Sequence, residues 1–225
     1  MNENSEASRL KGFTVIELLI ALAIVAVIAA ILFPVFAGVR ERGRRTVCQS
    51  NLKQIALAMQ QYVQDNSGTY PPSPYTWANA PYFYSKNADI FRCPDHPANE
   101  ITDQFTLDPT KASGSYPVDY TYNMQRLTVF VPPFPAKTVL GAHEALLSTP
   151  ATIWFNVDAS WSDSEGDHHS RTVPKTSCGR EFIGSTLHSG AGNYSYVDGH
   201  VKWLTPEEAG EIECANGPLP APFKD

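Results

Sequence analysis

Four sets of residues carry side chains able to do chemistry. The first is one carboxylate, Glu17, at the front edge of an apolar run: from Leu18 to Val39 no residue is charged. A carboxylate within a membrane segment costs about 2.5–3.5 kcal/mol on insertion scales, so this one needs a partner. The second set is His188, Asp198 and His200, close together near the C-terminal end. A Ser-His-Asp set or a two-histidine metal site could be assembled from them. The third is Asp158, Asp163, Glu165 and Asp167. Such an oxygen-rich series can hold calcium, although its spacing is not that of an EF-hand loop, and a solvated acidic loop is the favoured reading. The fourth is Cys48, Cys93, Cys178 and Cys214.

None of the cysteines forms a Cys-x-x-Cys pair, which argues against a thiolate zinc site or a redox motif. An even count favours disulfides if the domain is exported, and three pairings are open. The pairing chosen is Cys48–Cys93 with Cys178–Cys214, the second stapling the tail across a C-terminal hairpin; four free buried thiols are the competing state. No nucleophile elbow, His-Glu-x-x-His or Gly-rich phosphate loop occurs. His188 therefore reads as a hydrogen-bonding residue that ties the Gly-rich loop to the following hairpin. The chain reads as a non-enzyme with no cofactor, calcium being the weak exception.

The elements that position these residues begin with a long helix, read over residues 14 to about 65. At about 1.5 Å per residue the uncharged run makes roughly 33 Å of helix, enough to cross a bilayer core of about 30 Å. Pro34 lacks an amide donor and clashes with the preceding turn, so a kink or melted turn is expected near residues 30–34. Beyond Val39 the helix turns amphipathic: Leu52, Ile55, Ala56, Met59, Tyr62 and Val63 recur at helical spacing, a stripe that should pack under a sheet. Asn66-Ser67-Gly68 ends it and Pro71-Pro72 prevents its resumption.

Residues 69–125 read as an irregular loop with short helical turns around 77–88 and an extended stretch toward Asn123. Tyr120 and Tyr122 read as packing groups. Strands are expected at Leu127–Val131, Lys137–Ala142 and Ile153–Val157. Asp198-Gly199 signals a two-residue type I′ hairpin turn. That turn would set Tyr196 opposite Val201 and Tyr194 opposite Trp203 on one face, with Ser195 and Lys202 on the other. The fold class is α+β: a long N-terminal helix, half membrane and half amphipathic, packed on a small antiparallel sheet.

Lys11-Gly12-Phe13-Thr14-Val15-Ile16-Glu17-Leu18-Leu19, followed by the unbroken apolar run, resembles the precursor signature of type IV pilins and type II secretion pseudopilins. The resemblance implies a cut between Gly12 and Phe13 by a prepilin peptidase and methylation of the new amine of Phe13. It also implies that Glu17 guides assembly by pairing with a neighbour's amine, and that Pro34 lets the helix loosen in a fibre. Ile90-Phe91-Arg92-Cys93-Pro94-Asp95 and the interval from His188 to Asp198-Gly199 resemble marks of a pilin-like group that carries a domain of unknown function. The implied fold is pilin-like, and the implied partners are other pilin or pseudopilin subunits, the prepilin peptidase and methyltransferase, and inner-membrane lipid.

The organisation that follows is a leader at 1–12, a membrane and filament-core helix at 13–39, an amphipathic helix at 40–66 and an exported domain at 67–225. About 160 residues beyond the helix are enough for one core. The net charge of −6 offers no global basic field, and no nucleic-acid partner is expected. Arg40, Arg42, Arg44, Arg45 and Lys53 follow the apolar run, whereas the leader has only Arg9 and Lys11 against Glu3 and Glu6. Counted alone, these charges would hold the C-terminal domain in the cytoplasm. The resemblance implies the reverse: a single-pass protein of the bacterial inner membrane with a short cytoplasmic N-terminus and an exported domain. Two other classes stay open, a membrane-tethered binding or adhesion domain that forms no major filament and an exported metal-dependent hydrolase using His188, His200 and the acidic loop.

Overall fold

The computed structural model describes residues 13–71, 77–96, 103–106, 115–122, 128–131, 138–147, 149–158, 170–173, 176–179 and 182–216. The chain forms two units, 1–40 and 41–225.

Helix α1 spans Val15–Asp65 with Pro34 inside it. The melted turn expected at 30–34 is not found; the helical pattern passes through the proline. Pro34 still has no amide to give the carbonyl one turn back, so a weak point in the hydrogen-bond ladder remains. In the first unit the large apolar side chains are exposed, Phe33 at 75 % and Ile31 at 66 %. Among the described residues α1 alone is long and apolar enough to cross a membrane.

In the second unit α1 continues with Leu52, Ile55, Ala56, Met59 and Val63 buried and Tyr62 packed against them, the stripe that the helical spacing picks out. The helix stops where Ser67 and Gly68 take positive φ and the Gly68 amide donates to the Val63 carbonyl at 2.8 Å, a left-handed cap. The segment after it is more ordered than an irregular loop. It holds α2 (Asn79–Ser85), a 3-10 turn at Asp89–Phe91 and strands β1 (Asp103–Thr106), β2 (Ser115–Val118) and β3 (Thr121–Tyr122).

Strands β4 (Thr128–Val131) and β5 (Thr138–Gly141) fall on two of the expected segments, but among the described residues they pair only with each other. The main sheet is antiparallel, in the order β10 (Val201–Leu204), β9 (Gly192–Tyr196), β6 (Trp154–Val157), β3. Strands β7 (Ser170–Val173) and β8 (Phe182–Ser185) form a further hairpin, and helix α3 spans Pro206–Ala215. α3 starts at a capping box: the Thr205 hydroxyl accepts from the Glu208 amide and the Glu208 carboxylate accepts from the Thr205 amide, with proline at the first helical turn.

All five residues of β9 are buried, because both faces of the sheet are covered. One face joins the α1 cluster through Phe155, Leu187 and Val201; the other gathers Val157, Tyr194, Tyr196, Leu204 and Ala209 of α3. A bulge between Trp154 and Asn156 makes this possible. The extra residue shifts the alternation, so Trp154 and Val157 share the α3 side while Phe155 enters the α1 cluster.

The C-terminal hairpin differs from expectation by one residue. Ser195 pairs with Val201 and Tyr194 with Lys202. The connection is a three-residue loop: the Gly199 amide donates to the Tyr196 carbonyl at 2.8 Å and the Tyr196 amide to the His200 carbonyl at 2.9 Å. Only Gly199 there has positive φ, +85°, so Val197-Asp198 form an ordinary turn and glycine closes it as a bulge. The turn with two positive φ values lies earlier, at Ser189 (56°) and Gly190 (85°), with His188 and Ala191 exchanging both backbone bonds across it.

Among the described residues, four tyrosines are buried deeply enough to resist ionisation. Burial pushes Tyr70 and Tyr196 up to about 12 and raises Tyr120 and Tyr194 as well. A phenol is neutral when protonated and ordinarily titrates near 10, so the folded state holds these protons more tightly than the unfolded chain. The contribution is whole below pH of about 10 and is lost as pH rises from about 10 toward 12. In an alkaline titration the last tyrosinate absorbance should appear together with loss of far-UV dichroism. All tyrosines ionising near pH 10 with the dichroism intact would contradict this burial.

Candidate functional site

The first candidate lies at the start of α1. Gly12 is outside the described residues, and Phe13 is 84 % exposed. The Glu17 carboxylate accepts from the Thr14 amide at 2.9 Å and the Thr14 hydroxyl at 2.8 Å, while the Glu17 amide donates back to that hydroxyl. This is a capping box, the same device as at α3, and the Thr14-to-Glu17 spacing already signals it. In a single chain, therefore, the carboxylate has a local partner before any neighbour arrives.

The second candidate is built around His188. The Ser189-Gly190 turn places this residue at the corner between β8 and β9, where its side chain is fully buried. Nε2 faces Asp158 Oδ2 at 3.1 Å; Nδ1 faces Glu41 Oε1 at 3.1 Å and Asp95 Oδ2 at 3.3 Å. Asp158 directly follows β6 and is completely buried. It also accepts from the Asn193 amide at 2.7 Å, the Asn193 side-chain amide at 2.6 Å and the Ser185 hydroxyl at 3.2 Å. Arg44 closes the cluster from outside, with Nη2 on Glu41 Oε2 at 2.7 Å and Nε on Asp95 Oδ1 at 2.6 Å.

Burial works against a charged imidazole, but Asp158, Glu41 and Asp95 outweigh it and raise the His188 pKa. Burial raises Asp158 despite His188 and Asn193. The two carboxylates at Nδ1 are driven apart. Burial and the facing Glu41 raise Asp95, whereas Arg44 and His188 overcome the burial of Glu41 and lower it.

His188 does tie parts of the chain together, yet its side chain bonds α1, the Asp95 loop and β6 rather than the hairpin. Only its backbone serves the loop and hairpin, accepting from Trp203 Nε1 at 3.4 Å. Asp198 and His200 lie apart from this cluster. Asp198 accepts from the His200 amide at 3.1 Å and pairs with Nδ1 at 2.6 Å, and the imidazole stacks on Tyr196 with centroids 4.2 Å apart. The Asp-Gly turn is itself docked on α1: Lys53 Nζ donates to the Gly199 carbonyl and Gln60 Nε2 to the Val197 carbonyl at 3.1 Å. A side chain at Gly199 would press on Gln60 Nε2 at 3.0 Å.

The structure joins Cys48 to Cys93 and Cys178 to Cys214. Cys214 sits on α3, so the second bond runs to a helix rather than across a hairpin. Of the calcium series, Asp158 is turned inward to His188 instead of lining a loop, and Asp163, Glu165 and Asp167 lie outside the described residues. Sequence reading named Arg44 only as part of the basic cluster and Asp95 only within the Ile90–Asp95 motif, and it missed Glu41 and Asn193. Glu41 could have been noticed as the one acidic residue among Arg40, Arg42, Arg44 and Arg45.

Residues 8–33 match the family described as the prokaryotic N-terminal methylation motif, and residues 38–76 match a protein of unknown function, DUF1559. The type IV wide pilus major component PilA4 of Thermus thermophilus is 42 % identical over 57 residues. That alignment takes in 25 % of this chain, and the chain spans 44 % of that relative's length. No solved structure matches. The methylation motif and the DUF1559 match lie along α1 and the residues just after it, and over this part the chain is similar to type IV pilin-like proteins.

Proposed function

We propose that the chain is made as a precursor, cut between Gly12 and Phe13 by a prepilin peptidase, methylated at Phe13, and assembled through α1 into a type IV pilus or a type II secretion pseudopilus. The observation that carries this reading is the exposed apolar length of α1 in the first unit, headed by Glu17. Such surface belongs first in lipid and then against the same surface of neighbouring subunits. Residues 1–12 serve as the cytoplasmic leader, 13–39 as the membrane and filament-core helix, and the rest as the exported domain. On assembly Glu17 exchanges its bonds to Thr14 for the methylated amine of a neighbour's Phe13. The missing hydrogen bond at Pro34 gives α1 a place to loosen as subunits pack.

Two of the four arginines after the membrane run have work in the folded unit, which supports an exported domain despite the basic cluster. Arg44 bridges Glu41 and Asp95, and the Arg45 guanidinium lies 4.8 Å from the Trp203 ring centroid. The function is structural, with no catalytic step. Shearing cells that express the protein and sizing the released fraction tests it: the chain should run as a filament visible by electron microscopy. A protein that stays wholly in the membrane as single copies would instead be a tethered binding domain.

A further inference from the structure

We propose that Glu41, Asp95 and His188 form a structural site for one divalent first-row cation of the zinc class. Glu41 Oε1, Asp95 Oδ2 and His188 Nδ1 lie within 4.8 Å of one another, and the two separations from Nδ1 are 3.1 and 3.3 Å. Ligands bound at about 2.0–2.2 Å to a tetrahedral or octahedral ion stand roughly 2.8–3.6 Å apart, so both separations from Nδ1 have the length of a coordination edge. The mixture of one imidazole and two carboxylates suits zinc or manganese better than calcium or magnesium, which prefer oxygen alone.

The surroundings divide their atoms in the way a metal site requires. Each carboxylate gives its outer oxygen to Arg44, Glu41 through Oε2 and Asp95 through Oδ1, and turns its inner oxygen to Nδ1. On the far side of the ring, Nε2 meets the buried Asp158 carboxylate at 3.1 Å. A carboxylate there fixes the tautomer with the proton on Nε2 and leaves the Nδ1 lone pair free for a metal, the usual outer partner of a ligating histidine. With a neutral imidazole, three carboxylates against one guanidinium leave two negative charges, which a divalent ion cancels. A lone N–H at Nδ1 makes one good hydrogen bond, yet two like-charged oxygens converge there; an ion among the three atoms serves all of them.

The ligands come from α1, the loop after the 3-10 turn and the corner between β8 and β9. The ion would pin the helix to the sheet beside the Cys48–Cys93 bond, whose Cys93 Sγ is 3.5 Å from Nε2. This site is independent of filament assembly.

The test uses the untagged full chain in detergent, stripped with a chelator and then dialysed against zinc or manganese. Elemental analysis should find one ion per chain, and the thermal midpoint should rise over the chelated protein. Asp95→Asn and Glu41→Gln should each weaken binding at least tenfold. Asp158→Asn, acting through the ring alone, should weaken it less. Because His188→Ala removes a buried residue and could unfold the unit, the carboxylate variants carry the test. Wild-type protein with no bound ion and the same midpoint in zinc and in chelator would overturn the proposal, leaving a buried imidazolium ion pair. Folded Asp95→Asn and Glu41→Gln variants that keep full stoichiometry and affinity would overturn it equally.

Discussion

Replacing Asp158 with alanine should destabilise the second unit by about 3–5 kcal/mol, since each buried donor left unsatisfied costs about 1–3 kcal/mol. Three donors lose their acceptor at once: His188 Nε2, the Asn193 amide and the Asn193 side chain, whereas the Ser185 hydroxyl keeps the Asp158 backbone carbonyl at 2.6 Å. None of the three can turn to water, because His188 and Asn193 are fully buried. Against a typical stability of about 5–15 kcal/mol, such a loss takes a large share. In urea, with a slope of about 2 kcal/mol per molar, the midpoint should fall by roughly 1.5–2.5 M. Asp198→Ala is the matched comparison. Its pair with His200 is exposed at 41 % and 36 %, so the loss should stay under about 1 kcal/mol. Equal losses at the two positions would refute the importance assigned to the His188 cluster.

Glu17→Val should leave insertion and cleavage intact and remove the chain from the sheared polymer fraction. Insertion becomes easier, since an apolar side chain replaces one that costs about 2.5–3.5 kcal/mol near a helix centre. The local loss is modest, because half of an exposed capping box at the start of α1 is worth about 0.5–2 kcal/mol. What disappears is the charge for a neighbour's amine in a low-dielectric bundle, which no other residue from Leu18 to Val39 can replace. Glu17→Gln separates the two roles, since an amide can still cap Thr14 but cannot pair as an anion. Wild-type amounts of polymer with either variant would remove Glu17 from assembly.

The long helix and its buried stripe were legible because a 3.6-residue period over many turns has few readings, and Leu52, Ile55, Ala56, Met59 and Val63 obey it. Asp198-Gly199 correctly marked a turn, but one glycine serves either a two-residue loop or a three-residue loop with a bulge. The difference slid every pair by one residue. Helix α3 was legible and overlooked: Thr205-Pro206-Glu207-Glu208 carries both the capping box and the proline. The His188 cluster was not legible, since Glu41 stands 147 residues away and no local period records a contact made by folding. His188 stood out by its interval to Asp-Gly, yet its partners are not in that interval.

The most direct measurement is the intact mass of the protein from native membranes, compared between hosts with and without the prepilin peptidase. The account predicts a chain that starts at Phe13 and carries one added methyl group when the peptidase is present, and an uncut chain when it is absent. A chain that still starts at Met1 in the peptidase-bearing host would contradict it, making α1 a plain signal anchor.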